Sequence, residues 1–289
     1  MDEIIIAVIG GSGLYEMEGL TDVHEVRPRT PFGEPSDAIT IGRLDDRQIA
    51  FLPRHGVGHR INPTNLPARA NIYALKSLGV EWIISVSAVG SLREEIRPLD
   101  MVVPDQIIDR TRNRVNTFFE EGIVAHIGFA EPFCPVLSSL LINTTEGLDV
   151  PVHRGGTYVV MEGPAFSTKA ESRLYRSWGC DIIGMTALPE AKLAREAEIC
   201  YATLACATDY DVWHETEAAV SVEMIIANLL RNVETSKKVI RGVIGQVPLA
   251  NRRDCTCSTA LRDAIVTAPD RIPDQIKKDL APIIGKYLK

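Results

Sequence analysis

Short apolar segments, each followed directly by a loop of small or polar residues, recur along the first third of the chain and constrain its fold most strongly. The segment at residues 3–9 precedes the glycine-rich loop 10–13, the segment at 48–52 precedes Arg54 and His55, and the segment at 82–86 precedes Ser87 and Ala88. Short apolar runs bounded by turn residues are typical of buried strands. With the helix-like segment 65–79 between two of them, the pattern predicts an α/β sheet with the three loops at one edge.

Further elements are expected along the rest of the chain. We predict strands at residues 38–44, 101–107 and 156–161, a mobile polar loop at 109–116, and a helix that begins at Glu131 and Pro132. Ser221 is suited to cap a helix that carries apolar residues at helical spacing up to Val233. Residues 258–288 contain Pro269 and Pro273 and predict one or two amphipathic helices.

The bulk composition excludes some classes of function. The chain of 289 residues carries a formal net charge of -7, which argues against general binding to nucleic acid or to an anionic membrane. It contains no apolar run near the roughly 18 residues of a membrane span and no basic region before the first apolar run, so we expect the cytoplasm. We also expect one domain over residues 1–289, with C-terminal helices from about residue 258 that pack on the core or act as a lid.

The loops after the first strands contain residues suited to bind an anion. The loop around Ser12 offers backbone N–H groups to a phosphate or forms only a tight turn. The dinucleotide fingerprint G-x-G-x-x-G fails because Glu16 replaces its last glycine, which disfavours a nucleotide-dependent oxidoreductase. Arg54 and His55 open a stretch with four potentially cationic side chains, and arginine pairs well with a phosphate dianion. The sequence therefore predicts an anion pocket.

A pair of acids follows another apolar run, at residues 199–208. Asp209 and Asp211 are two residues apart, so in a strand they would project from the same face at the end where α/β proteins place their chemistry. Two neighbouring carboxyl groups resist ionising together, so at least one is expected to have a raised pKa and to donate a proton. The alternative is a solvated acidic strand end.

An aromatic residue and an apolar helix are further candidates for the pocket. Phe166 lies in a loop with Gly163 and Pro164, where it either stacks on a flat ring or packs in the core. The helix after Ser221 either forms a plain core stripe or closes an apolar pocket beside the acids. An anion pocket, an aromatic ring and paired acids together suit phosphate attacking a substrate whose leaving group is a flat heterocyclic base.

The six cysteines do not form a recognisable metal motif in the sequence. No C-x-x-C pair occurs, so a zinc ribbon or a thioredoxin-type site is disfavoured. Cys255 and Cys257 form a C-x-C pair, which is either two unpaired thiols or a strained disulfide. A pairing of Cys134 with Cys200 also stays open.

Several long motifs resemble those of one enzyme family. They are GGSGLY, PRHGVGHRINP, SAVGSLREEI, AEPFC, MEGPAFSTKAES, GMTALPEAKLAREAEICYA and ATDYDVW, and they lie between residues 8 and 230. They are similar to the methylthioadenosine phosphorylase branch of the purine nucleoside phosphorylases, and the C-x-C pair is similar to that of archaeal, heat-stable members. The resemblance implies a phosphorylase/hydrolase-like α/β fold, a central mixed β-sheet flanked by helices. It also implies a homotrimer or a dimer of trimers.

The resemblance further implies phosphorolysis of 5′-methylthioadenosine to adenine and 5-methylthioribose 1-phosphate, as in purine and methionine salvage. Inorganic phosphate is the co-substrate, and no metal or organic cofactor takes part. Asp209 and Asp211 are the implied catalytic residues, which also hold the base. The implied phosphate ligands are Ser12, Arg54, His55, Ser87, Ala88 and Thr186. The other implied substrate contacts are Phe166 and Met185, the methylthio pocket of Val222, Ile225 and Ile226, and His126 from a neighbouring subunit.

Two positions differ from many relatives of that family. Gly184 stands where many carry asparagine, which affects base selectivity, and Ser87 stands where threonine is common. The alternatives are a methylthioinosine, or 6-oxopurine, phosphorylase, a broader purine nucleoside phosphorylase, and a non-catalytic nucleoside-binding protein. Asp209 argues against the 6-oxopurine reading, which an asparagine there would have favoured.

Overall fold

The computed structural model describes residues 5–11, 13–14, 16–120, 122–214, 222–248 and 254–288, with the backbone alone at 222–225. Its strands are β1 (Ile6–Gly10), β2 (Leu20–Val26), β3 (Ile39–Leu44), β4 (Arg47–Pro53), β5 (Trp82–Ser91), β6 (Met101–Val103), β7 (Gln106–Arg110), β8 (Val152–Arg154), β9 (Thr157–Met161), β10 (Ile182–Gly184) and β11 (Cys200–Asp209). Its α-helices are α1 (Ala68–Ser77), α2 (Pro135–Gly147), α3 (Lys169–Ser177), α4 (Ala187–Glu196), α5 (Val222–Ile244), α6 (Asp274–Asp279) and α7 (Ala281–Ile284).

The strands form one mixed sheet, as the alternation of apolar runs and loops predicts. Its main path is β2-β3-β4-β1-β5-β10-β9-β7, and β5 also pairs with β11, which continues to β6 and β8. β5 runs parallel to both β1 and β11, whereas its last residues pair antiparallel with β10. The long β5 therefore joins both branches of the sheet and brings its second half to their junction.

Each face of the sheet buries a separate apolar cluster, because successive strand residues point to opposite sides. In β1, Ala7 and Ile9 belong to the cluster that α1 and α4 cover. Ile6 and Val8 belong to the cluster that α2 and α5 cover. Helices thus flank the central mixed sheet, and the predicted fold class is confirmed.

The C-terminal segment contributes to the core on the side of α1 and α4. Leu261, Ile272 and Leu280 are buried there, and an isolated bridge joins Ile265 to Ala125. The segment contains α6 and α7, two short helices. Among the helices of the described residues, none combines the length and the hydrophobicity of a membrane span.

Three local predictions are wrong. Residues 101–107 form two strands, β6 and β7, because Pro104 has no N–H to give to a ladder and the strands on either side pair with different partners. The predicted loop 109–116 begins inside β7 and contains the buried Arg114. Helix α2 begins at Pro135 rather than near Glu131, because Cys134 stays extended and donates its N–H to the Tyr201 carbonyl.

Candidate active site

A cavity of about 630 Å³ lies where β1, β4 and β11 end and where the second half of β5 passes. Gly11, Arg54 and Ser87 line it, so the loops after the first apolar strands do meet at one place. The cavity also receives residues from the β9 and β10 ends and from α5. Among the residues predicted for the site, those that line it are Arg54, His55, Ser87, Ala88, Phe166, Met185, Thr186, Asp209 and Asp211.

The structure does not bring every predicted residue to this cavity. Ser12 lies outside the described residues, as do the side chains of Val222 and Ile225. Ile226 is half exposed and His126 is exposed, and neither lines the cavity. Helix α5 instead contributes residues one and more turns later: Leu229, Asn232, Val233 and Ser236.

Arg54 is part of a buried ion pair at the inner end of the cavity. Its Nε donates to Glu190 at 2.5 Å, and its Nη2 donates to the other Glu190 oxygen at 3.1 Å. Nη2 also donates to Ser85 at 2.7 Å, and Tyr201 donates to Glu190 at 3.0 Å. The Glu190 charge raises the pKa of Arg54 although burial alone would lower it. The guanidinium is thus held rigidly, with its charge largely offset by the carboxylate.

His55 is a neutral side chain in this arrangement. Burial, followed by the neighbouring Arg54 charge, lowers the pKa of His55 to about 4. Its Nδ1 lies 2.8 Å from the Ile61 carbonyl, which can only accept, so Nδ1 carries the proton. The ring stacks on His59 with 4.2 Å between centroids. Of the four potentially cationic side chains in this stretch, Arg54 and His55 therefore bring little net charge to the cavity.

Hydroxyl groups face the cavity beside Arg54. The hydroxyls of Ser87, in β5, and Thr186, before α4, are 2.9 Å apart and share a hydrogen bond. Ala88 is exposed to the cavity next to them. Two hydroxyls and a small residue leave room for a tetrahedral anion and offer it hydrogen bonds.

The two acids line the same cavity and are both buried. β11 ends at Asp209, and Asp211 follows in a turn with a φ of +52°, so strand alternation is not what brings the pair together. Asp209 accepts hydrogen bonds from the Thr208 hydroxyl at 2.6 Å and the Asp211 N–H at 2.8 Å. The pKa of Asp209 is raised, chiefly by burial, with the Asp211 charge adding to the effect.

Ser167 and Arg114 position parts of the site and were missed in the sequence. The Ser167 hydroxyl lies 2.8 Å from both oxygens of Asp211 and holds that carboxylate in place. Arg114 donates to the carbonyls of Met185 and Leu188, both at 2.6 Å, and also to the carbonyl of Glu162. Arg114 lies in a polar stretch, and only the fold reveals that it is buried. Ser167 directly follows Phe166 in a loop after a strand, and this position could have identified it as a residue of the site.

A guanidinium, two hydroxyls and an acid with a raised pKa line this one cavity, which can therefore bind an anion and protonate a second group. A sequence model described as the phosphorylase superfamily matches residues 5–245. The chain belongs to that superfamily. The resemblance inferred from the motifs is thereby confirmed.

Members of the phosphorylase superfamily from several bacteria are similar over nearly the whole chain. An S-methyl-5′-thioadenosine phosphorylase from Gloeobacter violaceus is 57% identical, covering 98% of this chain and 95% of that one. The enzyme of the same name from Geobacter sulfurreducens is 57% identical, with 99% and 100% covered.

Solved structures of the superfamily have the same fold. A methylthioadenosine phosphorylase from an antarctic soil metagenomic library has a TM-score of 0.93 at 50% identity, covering 98% of this chain and 99% of that one. A variant of adenosine/methylthioadenosine phosphorylase from Schistosoma mansoni, in complex with methylthioadenosine, has a TM-score of 0.79 at 32% identity and 98% coverage of both chains.

Gly184 at the cavity wall leaves space for the Tyr158 hydroxyl. A Cβ added at Gly184 would overlap that hydroxyl and lie 3.0 Å from its ring carbon Cζ. Tyr158 is fully buried and cannot move aside. We therefore expect Gly184→Asn, the substitution that the family resemblance suggests, to lower the free energy of unfolding by about 1–3 kcal/mol, the usual cost of overpacking. Urea unfolding measures it.

The control for this test is to make Gly184→Asn in a protein that also carries Tyr158→Phe. Added to Gly184→Asn, it removes the overlapping oxygen, and we expect the double variant to recover part of the lost stability. If Gly184→Asn is as stable as the unmodified protein, or if Tyr158→Phe gives no recovery, the steric explanation is wrong.

Proposed function

We propose that this protein is an enzyme that cleaves 5′-methylthioadenosine with inorganic phosphate, giving adenine and 5-methylthioribose 1-phosphate in purine and methionine salvage. The observation that carries the proposal is that Asp209, whose pKa is raised by burial, lines the same cavity as Arg54, Ser87 and Thr186. The relatives named S-methyl-5′-thioadenosine phosphorylase support the choice of substrate.

The chemistry is a displacement at the sugar carbon that bears the base. A phosphate oxygen forms a new bond to that carbon while the bond between the carbon and the purine nitrogen breaks. The electrons of the broken bond leave with the base. Asp209, whose pKa is raised by burial, gives its proton to N7 of the purine as charge develops there. The sugar passes through a cation-like state that the phosphate dianion stabilises from the opposite face.

Asp211 selects the base. The Ser167 hydroxyl holds its carboxylate, which then accepts a hydrogen bond from the exocyclic amine of adenine. A 6-oxo group at the same position would present an acceptor to an acceptor, and the buried carboxylate would lose its partner. Phe166, 61% exposed at the cavity wall, packs on the purine ring.

Phosphate binds on Arg54, His55, Ser87, Ala88, Thr186 and Ser12. Ser87 and Thr186 give up their mutual hydrogen bond and donate both hydroxyls to the anion. The negative charge of phosphate raises the pKa of His55 from about 4 and thereby favours a charge-assisted hydrogen bond from its other nitrogen. Met185 contacts the ribose through its main chain.

The methylthio group lies toward α5. Val222, Ile225 and Ile226 are proposed for this pocket, together with Leu229 and Val233 that line the cavity. A homotrimer or a dimer of trimers would bring His126, exposed on this subunit, to the site of its neighbour. Sedimentation analysis tests the assembly, and a mass of one subunit at assay concentration would contradict it.

The proposed reaction uses no metal and no organic cofactor, since phosphate supplies the nucleophile and Asp209 the proton. Prolonged dialysis against a chelator should leave the rate unchanged when the assay is run below the unfolding temperature. We propose the cytoplasm as its location, where thiols stay reduced, and all six cysteines are free in the structure. Activity found only in a membrane or exported fraction would contradict this.

Base release from methylthioadenosine, with and without phosphate, tests the function, with methylthioinosine and adenosine in parallel. We expect adenine release to require phosphate and to exceed hypoxanthine release by about a hundredfold. That ratio corresponds to the roughly 3 kcal/mol that an unpaired buried charged group costs. Adenosine should react more slowly, by at most about a hundredfold, because an apolar pocket rejects a hydroxyl only modestly.

Two outcomes would contradict the proposal. Faster release of hypoxanthine would assign the protein to 6-oxopurine substrates and point to Gly184 as the cause. Binding of methylthioadenosine without any phosphate-dependent release would identify a nucleoside-binding protein.

A further inference from the structure

Four cysteines that are far apart in the sequence lie together in the fold, away from the cavity. Cys134 is the residue before α2, Cys200 is the first residue of β11, and Cys255 and Cys257 flank Thr256 in the C-terminal segment. All four Sγ atoms lie within 4.8 Å of one another. The spacing of cysteines in the sequence argued against a zinc site because only the C-x-C pair is close in sequence. The fold brings the two remaining thiols to that pair.

The distances fit four ligands around one ion. A tetrahedral Zn²⁺ site with Zn–S bonds of about 2.3 Å places its sulfurs about 3.8 Å apart. The Cys200 and Cys255 sulfurs are 3.4 Å apart, and the upper limit for the whole set is 4.8 Å. The four atoms therefore approach one another as a group rather than as two separate pairs, and all four cysteines are free.

The surroundings favour a bound ion over four unligated thiols. Cys134, Cys200 and Cys257 are buried in the apolar cluster that α2 and α5 cover, and Cys255 packs against it. Thiols are weak hydrogen-bond donors, so an apolar pocket does little to hold four of them together. The N-terminus of α2, beside Cys134, supplies a partial positive charge that offsets part of the negative charge of a tetrathiolate.

We propose that Cys134, Cys200, Cys255 and Cys257 form a closed site for one thiophilic divalent metal ion, Zn²⁺, which fastens the C-terminal segment to β11 and α2. Deprotonated thiolates would bind the ion and release their protons to solvent, with no change of oxidation state. Four protein ligands leave no open position for substrate, which is the pattern of a structural site.

The position of the site agrees with a structural role. Cys200 begins β11 and Asp209 ends it, a separation of about 30 Å at roughly 3.3 Å per residue. The C-terminal segment is already tied to the same region: Glu198 accepts from the Leu261 N–H at 3.0 Å and from the Tyr287 hydroxyl at 2.5 Å. The ion would reinforce this attachment and take no part in the reaction.

The test measures metal directly. The full-length protein is produced with added Zn²⁺ and separated from free and loosely bound metal ions. Its zinc content is then measured by mass spectrometry. We expect about one zinc per subunit, four thiols that react only after zinc is released, and the intense visible absorption of a cobalt tetrathiolate when Co²⁺ replaces Zn²⁺. Cys255→Ser should lose most of the bound zinc and unfold at a lower temperature.

Cys180→Ser is the control, since Cys180 is a buried free cysteine that belongs to a separate apolar cluster. It should keep its zinc. The proposal is overturned if the unmodified protein holds no zinc, whether its four thiols are free or joined as two disulfides under non-reducing conditions. It is also overturned if Cys255→Ser retains as much zinc as the Cys180→Ser control.

Discussion

Replacing Asp209 with alanine is expected to lower kcat for adenine release by about a hundred- to ten-thousandfold, the usual contribution of a general acid. The side chain is buried, and burial raises its pKa, so it stays protonated to higher pH than an ordinary aspartate. In the unmodified enzyme the rate should fall as pH rises through that raised pKa, because the proton to be donated is lost. This alkaline decrease should be absent from the variant.

A second substrate separates proton donation from other effects of the substitution. A methylthio nucleoside methylated at N7 carries a base that leaves without being protonated, so the loss caused by Asp209→Ala should be far smaller with it. Asp46→Ala, an exposed change in the turn between β3 and β4, serves as the control. An equal loss with both substrates would show that Asp209 does not act as the acid, and activity within a few-fold of the unmodified enzyme would exclude it entirely.

The second large effect is expected from Glu190→Gln. Glu190 is the partner of Arg54 in an ion pair whose side chains are only 2% and 3% exposed. Removing one member of a buried pair leaves an uncompensated charge, which typically costs about 3–5 kcal/mol. The free energy of unfolding in urea should fall by that amount, and phosphate binding should change as well because Arg54 would lose its fixed orientation.

Glu146→Gln is the matched control, since Glu146 pairs with Arg154 in an ion pair whose side chains are 43% and 59% exposed. The same chemical change there should cost about 1 kcal/mol or less. If the two substitutions lowered the free energy of unfolding equally, burial would not be what makes the Arg54–Glu190 pair important for stability.

The sequence predicts the parts of this protein whose cause is local. The apolar run before Gly10 becomes β1, the turn after Leu44 joins β3 to β4, and the acids at 209 and 211 do stand at the end of a buried strand. In each case an apolar run of strand length is bounded by residues that favour a turn. The placement of the loops around one cavity also follows, because parallel strands end at the same edge.

The other features of the fold and the site depend on contacts between residues that are distant in the sequence. Arg114 occupies a polar stretch and is buried only because carbonyls from the β9 and β10 ends surround it. Glu190 meets Arg54 across 136 positions of sequence, and no spacing rule connects them. The start of α2 is set by the Cys134 N–H, which bonds to β11. Such contacts arise from the assembled sheet and have no local pattern.

The Arg114 contacts bear on how compounds should be designed against this cavity. By joining the carbonyls of Met185 and Leu188 to that of Glu162, one side chain fixes two walls at a set separation. A compound that pushes these walls apart would have to break these bonds, at a cost that its added contacts must exceed. Chemical elaboration is therefore better directed toward α5, where Leu229 and Val233 offer apolar surface, than toward the acids Asp209 and Asp211.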